Sequence, residues 1–205
     1  MSHPNAHSAT PFRICLDLPD WAVAELQQLP EHLPDLQSRM AAVIRFARLN
    51  FLRQSGGPFA AGVFERDSGR LIVIGVNRVM PINCSSAHAE VMALSLAQQQ
   101  LGVYDLGGPG LPEYQLVVNW SPCVMCFGAV LWSGVRSLVI AGAGPELEQI
   151  TGFDEGPMPD EWRDELERRG IELIEDILHE ETLADFRTFA ASNAIVYNAR
   201  QGEAL

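Results

Sequence analysis

Two cysteines in "SPCVMC" and an upstream "HAE" are the residues of this chain whose types and spacing could do chemistry. Cys123 and Cys126 sit at i and i+3. On a helix that spacing puts both thiols on one face of the first turn, where the dipole favours thiolates. Alone, the pair serves equally as metal ligands, a redox dithiol or two small core residues. His88 and Glu90 change that balance. A lone buried His is more often a satisfied core residue, and a lone Glu suits a helix N-terminus through the dipole. Taken together, His88, Cys123 and Cys126 offer one nitrogen and two sulfurs. Such a set leaves the fourth tetrahedral position of a zinc ion open for water, as in catalytic sites. Glu90 follows His88 by two residues in the first turn of the same helix.

These residues need two helix starts at one edge of a sheet, and the sequence supplies them. "SSAHAEVMALSLAQQQLG" reads as a helix with Ser85 or Ser86 as its cap and Gly102 as its stop. Pro122 suits the first position of the next helix, "PCVMCFGAVLWSG". Upstream, Leu36, Met40, Val43, Ile44, Ala47 and Phe51 recur at helical spacing through Arg53, until "SGGP". "FAAGVFE" and "LIVIGVNRV" flank "RDSG" as a hairpin. "YQLVVNW", "SLVIAG" and "IELIED" read as further strands, "PELEQI" and "PDEWRDELERRG" as helical pieces, and residues 181–200 as a terminal helix. The alternation predicts an α/β fold, a three-layer α/β/α sandwich with a central mixed sheet of about five strands. Residues 1–33, punctuated by Pro19 and Pro30 around "PDWAVAELQQL", read as an N-terminal extension. Residues 34–180 form the main domain and 181–205 a C-terminal helix and tail.

Composition narrows the partners. The 205 residues suit one compact domain, and an apolar fraction of 47% can bury a sizeable core. A formal net charge of −12 lacks the basic footprint of a nucleic-acid binder and favours a small neutral substrate. "MSHPNAHSATP" has no apolar leader, and "AVLWSGVRSLVIAGAG" is interrupted by Arg136 and glycines, so no membrane span is expected. Four cysteines are too few for a disulfide scaffold, which points to a reduced, cytoplasmic protein.

The combination H-A-E…P-C-V-M-C resembles the signature of the cytidine deaminase superfamily, over about residues 34–200. Within it, residues 56–69, "GVNRV", "PCVMCFGAVLWSGV", "GFDEGP" and "YNAR" resemble the bacterial guanine deaminases. The resemblance implies hydrolysis of guanine to xanthine and ammonia, with one zinc per subunit on His88, Cys123 and Cys126. Glu90 would take a proton from the zinc-bound water and carry it to the substrate. Phe59 would stack on the purine, Asn77 would read the ring edge, and Ala89 would lie against the base. Otherwise Phe59 is a core aromatic and Asn77 a local backbone partner. A second carboxylate in "GFDEGP", Glu155 with Asp154 as the neighbouring candidate, would serve the leaving amino group; its plain alternative is a solvated turn. The tail, with Tyr197, would cross to a partner subunit in a homodimer and close its site.

One departure stands out. Ser121 occupies a position where many of these enzymes carry Glu, and "WSPC" echoes the polynucleotide cytidine deaminases. Ammeline, cytosine, a nucleoside or tRNA adenosine thus stand as alternative substrates. A structural zinc module that has lost activity stands as the non-enzymatic one. Cys15 and Cys84 are not expected to be ligands.

Overall fold

The computed structural model describes residues 14–192 and 194–200. The expectations for "MSHPNAHSATP" and for residues 201–205 lie outside them. The elements run α1 (Asp20–Leu26), α2 (Leu36–Leu52), β1 (Ala60–Glu65), β2 (Leu71–Val76), α3 (Ala89–Leu101) and β3 (Tyr114–Val118). They continue with α4 (Val124–Ser133), β4 (Ser137–Ile140), α5 (Glu146–Thr151), α6 (Trp162–Arg168), β5 (Glu172–Ile174) and α7 (His179–Ala190).

The sheet order is β2-β1-β3-β4-β5. β1 pairs antiparallel with β2 and β3, whereas β3, β4 and β5 run parallel. The mixed sheet follows from the chain: a tight turn at 66–70 allows only an antiparallel pair, and helical crossovers return later strands in parallel. Helices cover both faces, so the central strands are buried on both sides and read as continuous apolar runs. One core packs Ala93, Leu116, Phe127 and Leu138 on the side of α3 and α4. The other packs Met40, Val43, Phe46 and Val117 under α2. The stretch before residue 34, read as an extension, joins this second core through Ala22 and Leu33.

Three local expectations are corrected. Ser85 and Ser86 do not cap α3; its N-cap is His88, which makes no side-chain cap bond. Pro122 precedes the α4 N-cap, which is Cys123. The terminal helix ends at Ala190 rather than running to 200, and residues 194–198 carry no regular structure. A turn at 191–192 ends the helix there.

Gly75 sets how closely α3 approaches the sheet. A Cβ at Gly75 would lie 2.4 Å from the Ala93 nitrogen and 2.8 Å from the Ala89 carbonyl oxygen. Both are backbone atoms, so the helix itself must shift. Gly75→Ala is therefore expected to destabilise the protein by about 1–3 kcal/mol, read in a denaturant melt. It should also weaken metal retention, because the displaced helix begins at His88.

Candidate active site

Both helix starts do what the sequence asked of them. His88 and Cys123 have extended backbones at the N-cap (φ −69°, ψ 158°; φ −66°, ψ 169°). Neither side chain caps its own helix, so both turn to the space between α3 and α4. Cys123 Sγ lies 3.5 Å from His88 Nδ1. The ligand atoms of His88, Cys123 and Cys126 all lie within 4.8 Å of one another. Cys84 and Cys15 are not part of that group.

The electrostatics suit a cation. A hydrogen bond from Cys126 holds the Cys123 thiol down to about 4, against burial and with help from His88. That same bond and burial push Cys126 up. Burial pulls His88 down, but its contact with Cys123 and the charge of Glu90 outweigh this and leave it raised. The cluster thus holds one thiolate and one thiol whose proton a metal can displace. One nitrogen and two sulfurs at this spacing fit zinc.

Around the triad lies a cavity of about 1020 Å³. Phe59, Asn77, Ala89, Glu90, Glu155 and Tyr197 all line it. Glu90 is 6% exposed. Burial first, then the charge of Cys123, raises its carboxyl to about 7. Half-buried Glu155 is pushed up to about 8 by burial and by the charges of Cys123 and Glu90. Its backbone oxygen accepts from the Val124 N–H at 3.2 Å, which ties the loop to the first turn of α4.

Asp154 lines the cavity too but is exposed, and its carboxylate accepts from the Gly156 N–H at 2.9 Å. That is the turn role expected of an Asp beside a Gly. The two acids left open by the sequence therefore differ: Asp154 serves its own turn, and Glu155 feels the triad.

Asn77 is fully buried. Its Oδ1 lies 3.4 Å from the Gly57 N–H and 3.3 Å from the Val79 N–H. Burial pushes the pKa of the Tyr197 hydroxyl up, a rise that the Asn77 side chain opposes. Phe59 is part core and part wall, edge-on to Phe153 at 5.1 Å. Asn119 orients it by accepting from the Ala60 N–H at 3.0 Å and donating to the Pro58 carbonyl at 2.9 Å. Ser121 lines the cavity where the resemblance expects Glu.

Tyr197 lies in the cavity of its own chain, packed edge-on to Phe153 at 5.1 Å. With α7 ending at Ala190, the stretch beyond it is long enough to reach back over the chain's own site. Trp120, Phe153 and Asn198 also line the cavity, yet sequence reasoning did not single them out. Phe153 and Asn198 sit inside quoted motifs, so only their contacts distinguish them.

A mixed sheet that presents His/Cys/Cys at two helix starts, with a buried carboxylate two residues past the histidine, defines a zinc-dependent aminohydrolase. The model of the cytidine and deoxycytidylate deaminase zinc-binding region matches residues 34–142, and the chain belongs to that family. The solved structure of guanine deaminase from Nitrosomonas europaea is 47% identical, covers 89% of this chain and 98% of that one, and superposes with a TM-score of 0.84. The structure of NE0047 with 2,6-diaminopurine is 49% identical, covers 91% of this chain and 97% of that one, and gives 0.83. Guanine deaminase of Bacillus subtilis is 34% identical over 100 residues, 49% of this chain and 59% of that protein. The chain thus matches less than two thirds of the Bacillus relative.

No helix among the described residues is long and apolar enough to cross a membrane.

Proposed function

We propose that this protein hydrolyses guanine to xanthine and ammonia. The observation that carries the reading is a second carboxylate, half-buried Glu155, lining one cavity with Glu90, His88 and Cys123. The complex of a relative with 2,6-diaminopurine supports a purine in this cavity. Guanine loses the amino group on carbon 2, which lies between two ring nitrogens, so two proton carriers have separate work.

Zinc on His88, Cys123 and Cys126 supplies Lewis acidity that makes water a nucleophile near neutral pH. Glu90, raised to about 7, takes a proton from the attacking water and returns it to the ring nitrogen beside carbon 2. Glu155 accepts hydrogen bonds from the amino group and adjacent ring N–H, takes the second proton from the new hydroxyl on carbon 2 as that becomes the carbonyl, and passes it to the amino group, which leaves as ammonia. Phe59 offers a face to the base, Asn77 its amide, and Ala89 a small apolar floor. Tyr197 and Phe153 exclude water above it. Ser121, lacking a carboxyl, leaves proton transfer to the two glutamates.

A homodimer with exchanged tails belongs to the same reading. Val196, Tyr197 and Asn198 reach the body through side chains, so a second copy can offer the same contacts. Four free cysteines suit a reducing, cytoplasmic setting.

Ammonia release by the zinc-loaded protein is the test, with guanine, cytosine, adenine, cytidine, ammeline and a tRNA offered in parallel. Guanine is expected to turn over fastest by at least about tenfold, because a polar site rejects bases that leave its groups unpaired. Inactivity on guanine with turnover of another base overturns the assignment.

A further inference from the structure

The loop that carries Glu155 is irregular and is held mainly by side chains from elsewhere. Gly152 and Gly156 bracket it, with φ of 80° and 75°. The Glu155 N–H points to Glu148 Oε1 at 3.2 Å, and the Phe153 N–H to Thr151 Oγ1 at 3.3 Å. Two further links come from α4, through the Val124 N–H to the Glu155 carbonyl at 3.2 Å, and from the tail. The Asp154 N–H donates to Asn198 Oδ1 at 3.0 Å, and Asn198 Nδ2 donates to the Gly152 carbonyl at 3.0 Å. One carboxamide therefore meets a carbonyl and an N–H two residues apart, as a neighbouring strand would.

We propose that Asn198 is a positioning residue for Glu155: its carboxamide splints residues 152–154 and so sets where the second carboxylate stands in the cavity. The inference rests on the reading of Glu155 given above. A primary amide suits the task because it offers a donor and an acceptor together. Aspartate would set an acceptor against the Gly152 carbonyl, and alanine offers neither bond. Tyr197 adjoins Asn198, so the segment that closes the cavity also aligns the carboxylate. Docking of the tail and readiness of Glu155 become one event.

A double-mutant cycle on the zinc-loaded full chain tests this, read as kcat and KM for guanine under steady-state and single-turnover conditions. Asn198→Ala is expected to lower kcat by about 10–50-fold, since small misplacements of reacting groups cost that much. KM should change less than about threefold and zinc content not at all, because the triad is untouched. In a Glu155→Gln background, Asn198→Ala should lower turnover further by less than about twofold, because it acts through the removed carboxylate. The same fold-loss in both backgrounds overturns the proposal and assigns Asn198 to Tyr197 closure. Unchanged kcat or lost zinc in Asn198→Ala also overturns it. Unimpaired turnover in Glu155→Gln alone removes the Glu155 assignment itself, and the proposal with it.

Discussion

Glu90→Gln is expected to lower guanine turnover by about 10³-fold while zinc stays bound, because a positioned general acid–base is worth 10²–10⁴-fold. Glutamine keeps the shape and can still hydrogen-bond, but it cannot take up and release a proton. Glu90 is not among the grouped ligand atoms, so the metal has no reason to leave. Xanthine formation and zinc content measured on one preparation check both halves. Retention of zinc with full turnover would remove Glu90 from the mechanism.

The same substitution carries a stability signature of opposite sign. In the zinc-free fold the Glu90 carboxyl is raised from 4.5 to about 7, chiefly by burial. Its raised folded value means that its contribution to stability is fully present below pH 4.5 and is lost as pH rises through about 7. Glutamine is neutral throughout. The zinc-free variant should therefore melt progressively higher than its parent as pH climbs through that window, and match it at lower pH. A catalytic acid that costs stability at working pH is the usual trade between function and folding.

Cys126→Ser should abolish turnover together with metal binding, leaving less than about a tenth of a zinc per chain, because the hydroxyl is a poor substitute for a soft thiolate. Cys126 is fully buried at the first turn of α4. Zinc stabilises the fold by mass action, so chelator should lower the melting temperature of the parent and leave the variant unmoved. A variant that keeps zinc would mean that His88, Cys123 and some other group suffice, and the triad would need revision.

The candidate metal ligands were legible because each of the two motifs is local. "HAE" and "PCVMC" each fit within about one helical turn, close to a helix start, and their combination carried the resemblance. The strands were legible for a similar reason: period, length and bounding turns are properties of short stretches. Ser85 and Ser86 misled, since they are good cap residues, yet the backbone enters α3 at His88. The terminal helix misled as well, because apolar spacing continues past Ala190 although those side chains pack around the cavity instead.

Asp154 and Glu155 show where local reading stops. They are adjacent acids in a glycine-bracketed loop, and nothing in their own neighbourhood ranks them. What ranks them is the bond between the Glu155 carbonyl and the Val124 N–H, and burial beside Cys123, both from segments distant in sequence. Tyr197 and Asn198 belong to the same class. By itself the sequence pointed to the sheet, to two helices that begin close to His88 and Cys123, and to a candidate metal triad with a carboxylate beside it, since helical geometry relates residues over three or four positions. Only the tertiary structure separated half-buried Glu155 from exposed Asp154 and brought Tyr197 to the cavity, because those contacts join chain segments that no periodicity relates.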